Sequence, residues 1–317
     1  MATQAVSCFE RSDLEMLRTT PERANLRCPT CRDLSGSHAL EWGDVRDSDG
    51  DDVLAGALRC TGCAMRYPVE DGVAVVVRDV EAYVATERAF DDEQLGTYLW
   101  SDYGDRYAPT LPTGLTRGVH PAEDLLLRLT NTDRAIDLGC GSGGSTFRLA
   151  TRAGFALGID ARFERIRAAV TLRRRGALEV PVRRHSTWVE RGMVEMPDLQ
   201  GAACDFLVAD VVDPPLAPED WDAALLAMVY DVVNSPALLL DQVGALLKDG
   251  GLVCMASPYQ FAPAHQPMDP GADLRRRLGT TFAPIAEDER LWLLRDNDRR
   301  WFVYVLDVLV GRKVASP

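Results

Sequence analysis

The chain has 317 residues, 46% of them hydrophobic, which is enough for one large or two smaller domains with a packed core. Its net charge of −13 argues against a broad nucleic-acid face, since phosphate binding rests on clustered Lys and Arg. The longest apolar run, Ala223 to Tyr230, is too short to span a bilayer, and the first twenty residues hold no signal-like stretch, so a soluble, cytoplasmic protein without a membrane partner is expected.

Residues 1–25 form a polar extension in which Cys8 reads as a plain thiol. Cys28-Pro-Thr-Cys31 and Cys60-Thr-Gly-Cys63 follow. Two C-x-x-C knuckles in a chain with no secretory signal read as a four-thiolate zinc site, each knuckle placing two sulfurs on one ion. Reducible cysteines without metal are the alternative. All four positions of such a site are filled by protein, so its role is structural, and binding energies of roughly 10–16 kcal/mol would suffice to fold a small module. The 28 residues between Cys31 and Cys60 demand an excursion, for which the Asp- and Gly-rich stretch Asp44 to Asp52 is the expected loop.

A connector over 80–119 begins with helical character and carries Tyr98, Tyr103 and Tyr107 before a Pro/Gly-rich break. His120-Pro-Ala-Glu-Asp opens a helix, Pro121 being tolerated in its first turn, with Leu125, Leu126 and Leu129 expected to face inward.

Ala135-Ile-Asp-Leu-Gly-Cys-Gly-Ser-Gly-Gly144 reads as a strand, a tight glycine turn and a helix N-terminus, with the helix running from Ser145 to Arg152 and stopping at Gly154. Glycine tolerates positive φ and lets a ligand approach bare backbone, and the helix start adds free N–H groups. Gly139, Gly141 and Gly144 match the dinucleotide fingerprint G-x-G-x-x-G, with Asp160 at about the expected 20-residue distance. Asp137, Gly139, Gly141 and Gly143 equally match D-x-G-x-G-x-G. That pattern resembles motif I of the class I methyltransferases, which bind S-adenosylmethionine (SAM). An acid inside the turn is awkward beside a pyrophosphate but useful near the amino-acid end of SAM.

Downstream, strand and helix alternate, as in a mostly parallel sheet. Ala156 to Asp160 is a second strand whose terminal carboxylate suits the two hydroxyls of a ribose, or merely caps the helix Ala161 to Arg175 that Gly176 ends. The arginines from Arg162 to Arg184 read as a solvated helix face with a last turn complementing the dipole, or as an anion site. Residues 177–204, with His185, Trp188 and Met193, are a lid, a substrate wall or a variable loop. A third strand, Asp205 to Asp210, ends in an acid followed by Val211, and a fourth, Trp221 to Met228, runs into Tyr230, Asp231 and Asn234, with Ser235-Pro236 as an ordinary helix start. A helix from Ala237 to Lys248 and a fifth strand, Leu252 to Ala256, follow. After an irregular stretch with a short helix near Ala272 to Leu278, strands Arg290–Arg295 and Trp301–Val310 close the chain as a hairpin.

The resemblance to class I SAM-dependent methyltransferases implies an α/β, Rossmann-like sheet with an antiparallel last strand over 120–317, preceded by a small zinc ribbon over 26–79. That ribbon, through Tyr67-Pro68 and Asp71-Gly72, looks like modules that accompany or activate certain methyltransferases. The resemblance implies SAM contacts from Asp137, Gly139, Cys140, Gly141, Gly143, Asp160 and Ala161. Asp210 and Val211 would read the adenine, while Met228 and an aromatic residue, Tyr103 or Tyr98, would border the cofactor. Tyr230, Asp231 and His185 are candidate bases, and Asn234, Tyr259 and Trp292 candidate substrate contacts. Ser257-Pro-Tyr259, Tyr98-Leu, Tyr103-Gly and Trp292-Leu-Leu-Arg295 are similar to the methyltransferase domain of ovothiol-biosynthesis enzymes, departing after Phe261. The implied activity is methylation of N or S on a small-molecule acceptor, with SAM as cofactor and a structural zinc. An rRNA or tRNA base methyltransferase using the ribbon to recognise RNA, and a non-catalytic SAM-binding partner, are the alternatives.

Overall fold

A computed structural model describes residues 21, 23–31, 38–86, 95–107, 120–129, 131–263 and 267–315. Cys8 and most of the N-terminal extension lie outside the described residues, as does the Pro/Gly-rich end of the connector. One sheet of eleven strands organises the rest, in the order β1-β2-β3-β4-β9-β6-β5-β10-β11-β13-β12. Its central strands are β5 (Thr132–Leu138), β6 (Ala153–Asp160), β9 (Cys204–Val208), β10 (Trp221–Ala227) and β11 (Leu247–Ser257), and all pair in parallel. β13 (Arg300–Lys313) then inserts antiparallel between β11 and β12 (Phe282–Asn297). This is the expected Rossmann-like methyltransferase sheet with an antiparallel last strand.

The cysteine-bearing region continues that sheet. β1 (Leu40–Asp49), β2 (Asp52–Cys60), β3 (Arg66–Glu70) and β4 (Val73–Val75) form an antiparallel meander. β4 then pairs in parallel with β9 through Ala74↔Leu207 and Val75↔Val208. The excursion between the knuckles is thus the β1–β2 hairpin, turning at Gly50 (φ 60°), and the Asp44–Asp52 loop expectation is corrected. Val53, Leu58 and Leu40 of that hairpin are buried in one core cluster, which outweighs the acidic, loop-like composition of its tip. The 177–204 stretch also holds a hairpin, β7 (Ala177–His185) with β8 (Trp188–Glu195), which forms a separate two-stranded sheet.

Helices cover both faces: α1 (Val80–Thr86), α2 (Leu95–Tyr107), α3 (Pro121–Leu129), α4 (Gly144–Leu149), α5 (Phe163–Arg175), α6 (Pro236–Leu246) and α7 (Pro270–Leu278). α4 is shorter than expected, and Gly154 sits inside β6, where a Cβ would meet the Asp133 carbonyl at 3.1 Å. Gly176 ends α5 as expected, with φ 64° and its N–H donating to the Leu172 carbonyl at 2.8 Å. In α3 the inward residues are Ala122, Glu123 and Leu126, whereas Leu129 is exposed. The buried Glu123 rotates the helix face away from the leucine stripe because Arg148 and Ser145 supply its partners.

The arginine run of α5 has a third use. Arg173 is buried and donates to Asp52 Oδ1 (2.6 Å) and Asp205 Oδ1 (2.7 Å), while Arg174 pairs with Asp49 at 2.9 Å. These arginines clamp the tip of the β1–β2 hairpin to the central sheet. Among the described residues no helix is long and apolar enough to cross a membrane.

Candidate functional site

The glycine turn joins β5 to α4 at the carboxyl edge of the sheet, where open α/β sheets bind ligands. Gly139 (φ 82°), Gly141 (φ 56°) and Gly143 (φ 91°) all take the left-handed conformation. Gly139 also lies against the segment after β10, where a Cβ would meet Val229 Cγ2 at 2.3 Å. Beside Gly141 the nearest atom a Cβ would meet is Tyr98 Cδ1, at 3.7 Å. Gly143 packs on Phe206 and Ala169, which a Cβ would meet at 2.7 and 2.9 Å, so the cradle of bare backbone is centred on Gly141, beneath the Tyr98 ring.

Three strand ends deliver the three expected acids in different states. Asp137 is buried beneath the turn and accepts from Thr146 Oγ1 at 2.7 Å. Burial raises its carboxyl to about 7, the Thr146 hydroxyl opposing the shift. Asp160, at the tip of β6, accepts the Gly141 N–H at Oδ2 (3.0 Å) and the Arg162 N–H at Oδ1 (2.8 Å). It spans the glycine turn and the start of α5 at once. Asp210 is exposed beyond β9 and accepts the Val212 N–H at 3.0 Å, next to the buried Val211. Ala161 is exposed, with its carbonyl held by the Tyr83 hydroxyl at 2.9 Å. Cys140 is buried, and burial raises its thiol.

Helix α2 presses on the turn from outside. Tyr103 is buried and its hydroxyl donates to the Ser142 carbonyl at 2.8 Å, so it braces the backbone. Asp102 accepts from Ser142 Oγ and fills the space a side chain at Gly144 would need. Tyr98 faces the cradle, with the Arg165 guanidinium 3.6 Å from its ring centroid. Of the two expected aromatics, Tyr98 is the one placed to touch a ligand in the cradle.

Met228 (φ 59°) starts the segment after β10 and, like Tyr304, packs against the core cluster that holds Trp292; Tyr304 lies opposite Trp292 across the β12–β13 ladder. Asp231 is buried, accepting from Ser257 Oγ (2.9 Å) and the Gln260 N–H (2.7 Å), an arrangement that ties two strand ends together. The Tyr230 hydroxyl turns towards α7, donating to Asp273 at 3.3 Å, and burial with the neighbouring Asp273 raises its phenol to about 12. Tyr259 (φ 57°) donates to Asp307 at 2.9 Å. Asn234 is exposed just ahead of Ser235, the residue preceding α6. His185 is exposed on the β7–β8 hairpin, edge-on to Trp188 at 4.8 Å and apart from the turn's own contacts. Trp292 is buried against His120, their centroids 4.7 Å apart. His120, Asp102 and Tyr304 went unrecognised in the sequence, where nothing in their spacing marks them.

The cysteines come together as expected: Cys28, Cys31, Cys60 and Cys63 have all sulfurs within 4.8 Å of one another. Cys28–Cys63 and Cys31–Cys60 sulfur separations of 3.7 and 3.6 Å match the roughly 3.8 Å edge of a tetrahedron with Zn–S bonds near 2.3 Å. The Gly62 and Cys63 N–H groups donate to Cys60 Sγ at 3.3 and 3.4 Å, and His38 Nδ1 lies 3.4 Å from Cys31 Sγ. Such outer contacts orient thiolate ligands.

The profile of the methyltransferase domain family matches residues 93–297, more than half of the chain, from α2 through β12. The chain belongs to the methyltransferase domain family. Among curated proteins, none matches it. Solved structures similar to this methyltransferase include a SAM-dependent methyltransferase from Methanosarcina mazei, 17% identical with a TM-score of 0.45, covering 62% of this chain and 99% of that one. The YcgJ protein from Bacillus subtilis is 11% identical (TM-score 0.45), covering 62% and 100%. A chain in the complex between the Haloferax volcanii Trm112 methyltransferase activator and a methyltransferase is 15% identical (TM-score 0.43), covering 69% and 98%.

Proposed function

We propose that this methyltransferase uses SAM to methylate a nitrogen or sulfur of a small-molecule acceptor, and that its four cysteines hold a structural zinc. The observation that carries the cofactor reading is the Asp160 carboxylate bonded to the Gly141 N–H beside an open left-handed turn. SAM, when bound, supplies a sulfonium-activated methyl group that an acceptor lone pair displaces in line.

The chain's own part is placement and exclusion of water. Asp160 and Asp210 lie at the tips of neighbouring strands, where they would hold ribose and adenine, with Val211 closing the ring pocket. Gly141 would admit the amino-acid portion beneath Tyr98, with Gly139 and Gly143 giving the turn its left-handed path against Val229 and Phe206. A dinucleotide's pyrophosphate fits less well, because buried Asp137 lies directly beneath the turn. Asp231, Tyr230 and His185 stay the candidate bases, with Asn234, Tyr259 and Trp292 beside the acceptor. An imidazole nitrogen or a thiolate, the acceptor class suggested by the ovothiol-like motifs, needs no strong base. The four-thiolate site would have no open position, so its zinc would serve folding.

The test supplies methyl-tritiated SAM to the protein with separated metabolite and RNA fractions of a cell extract. Label in a metabolite supports the proposal. Label confined to RNA overturns the acceptor class in favour of a base methyltransferase.

A further inference from the structure

His120 opens α3 with an imidazole that is only 7% exposed. Its Nδ1 accepts the Ala122 N–H at 3.3 Å, which leaves the ring proton on Nε2. That Nε2 is buried and has no hydrogen-bond partner among the described residues. A donor buried without an acceptor is costly, and native proteins seldom keep one without a use. Burial, together with the positive charge of Arg148, pushes the ring down to about 3, so it stays neutral at any physiological pH.

The surroundings of His120 are aromatic and lead back to the cradle. Trp292 packs against it at 4.7 Å between centroids, tilted by 55°. Tyr304 is the direct cross-strand partner of Trp292, so both rings stand on one face of the β12–β13 ladder. Burial, with Tyr98 and Asp231 adding to it, raises the Tyr304 phenol. Met228 packs into the same apolar cluster as Trp292 and Tyr304. A row of rings therefore runs from Tyr304 through Trp292 to His120, and Glu123, three residues further on, accepts from Ser145 Oγ at 2.7 Å, which sets the His120 end of the row beside the glycine turn.

We infer that this row is the acceptor subsite, that it takes a planar heteroaromatic molecule, and that His120 Nε2–H donates to a lone pair on that molecule, a carbonyl oxygen or an unprotonated ring nitrogen. The inference rests on the SAM reading above and extends it to residues and a substrate class. Flat rings on three elements suit a flat partner, with stacked or edge contacts. An ammonium turned towards His120 would face another donor, so the group there must carry a lone pair. His120 acts as a specificity-determining donor and takes no proton from the acceptor.

The experiment uses the full chain saturated with S-adenosylhomocysteine and ligand-observed NMR with two probe sets of matched size. One set holds planar heteroaromatics with a carbonyl or free ring nitrogen (4-quinolone, benzimidazole); the other holds aliphatic amines and carboxylates. The heteroaromatic probes bind wild type and compete with one another, while the aliphatic ones do not. His120→Phe keeps the packing and weakens the heteroaromatic probes about tenfold, and His120→Gln, which restores a donor near Nε2, regains most of that loss. S-adenosylhomocysteine affinity stays within threefold in both variants, which separates a lost donor from a lost fold. Equal binding of the aliphatic set, or a His120→Phe variant that binds the probes as wild type does, overturns the subsite. A wild-type protein that takes S-adenosylhomocysteine and no heteroaromatic probe overturns it too, whereas one that takes no S-adenosylhomocysteine overturns the cofactor reading together with it.

Discussion

Arg173→Leu tests whether the cysteine-bearing strands and the methyltransferase sheet are one folding unit. Arg173 is 3% exposed and donates to Asp52 Oδ1, Asp205 Oδ1 and the Cys204 carbonyl (3.3 Å). Leucine fills most of its volume and leaves two nearly buried carboxylates, Asp52 and Asp205, without the cation that bridges them. Removing one partner of a buried ion pair costs about 3–5 kcal/mol. Here the lower end applies, because Asp52 keeps Arg174 nearby at 3.7 Å and Asp205 keeps the Phe206 N–H at 2.8 Å. Urea unfolding followed by tryptophan fluorescence at pH 7 should show a loss of about 3 kcal/mol. The deficit should shrink on acidification. Burial already raises the Asp205 carboxyl against the pull of Arg173, and without Arg173 it rises further. The folded variant then binds a proton that the unfolded chain releases at lower pH, so its stability grows as pH falls towards 5. The double change Arg173→Leu, Asp205→Leu should recover part of the loss. A loss below 1 kcal/mol, or a deficit that widens on acidification, refutes the buried-clamp reasoning.

Three other outcomes follow from the same geometry. Asp137, raised to about 7 by burial, stabilises the fold fully below its unfolded value near 4, and that contribution is lost as pH rises through 7. Wild type should therefore lose roughly 4 kcal/mol across this window relative to Asp137→Asn, read as the difference of their urea midpoints. Gly139→Ala combines a positive φ with a 2.3 Å approach to Val229, so it should cost about 2–4 kcal/mol, and Val229→Ala in the same chain should relieve the steric part. Purified protein should carry one zinc per chain by elemental analysis, and Cys60→Ser or a strong chelator should lower the melting temperature; metal-free protein with an unchanged melt contradicts the structural-zinc proposal.

Periodicity and turn residues exposed the central sheet, because each parallel strand is an apolar run bounded by glycine or an acid. Asp137, Asp160 and Asp210 were legible for the same reason, a carboxylate at a strand's end being conspicuous. The β1–β2 hairpin was hidden by its acidic tip, whose charges serve Arg173 and Arg174 across the sheet rather than solvent alone. Such a pairing has no local signature. The union of β4 with β9 was equally invisible, since parallel pairing between residues about 130 apart leaves no pattern in either segment. His120 and Tyr304 join the site only through the folding of β12–β13 against α3. Tyr98 and Tyr103 were both visible as aromatics, but only the path of α2 decides which braces the turn and which faces the cradle.

Isothermal titration of SAM into the wild-type chain and into Asp160→Asn tests most directly whether the glycine turn and the acid bonded to it form a SAM site. Wild type should bind at micromolar levels, and Asp160→Asn, which loses the charged acceptor for the ribose hydroxyls and one of the two backbone N–H bonds that Asp160 accepts, should bind at least about tenfold more weakly. No measurable heat with wild type, or equal affinity in the two proteins, would contradict the assignment.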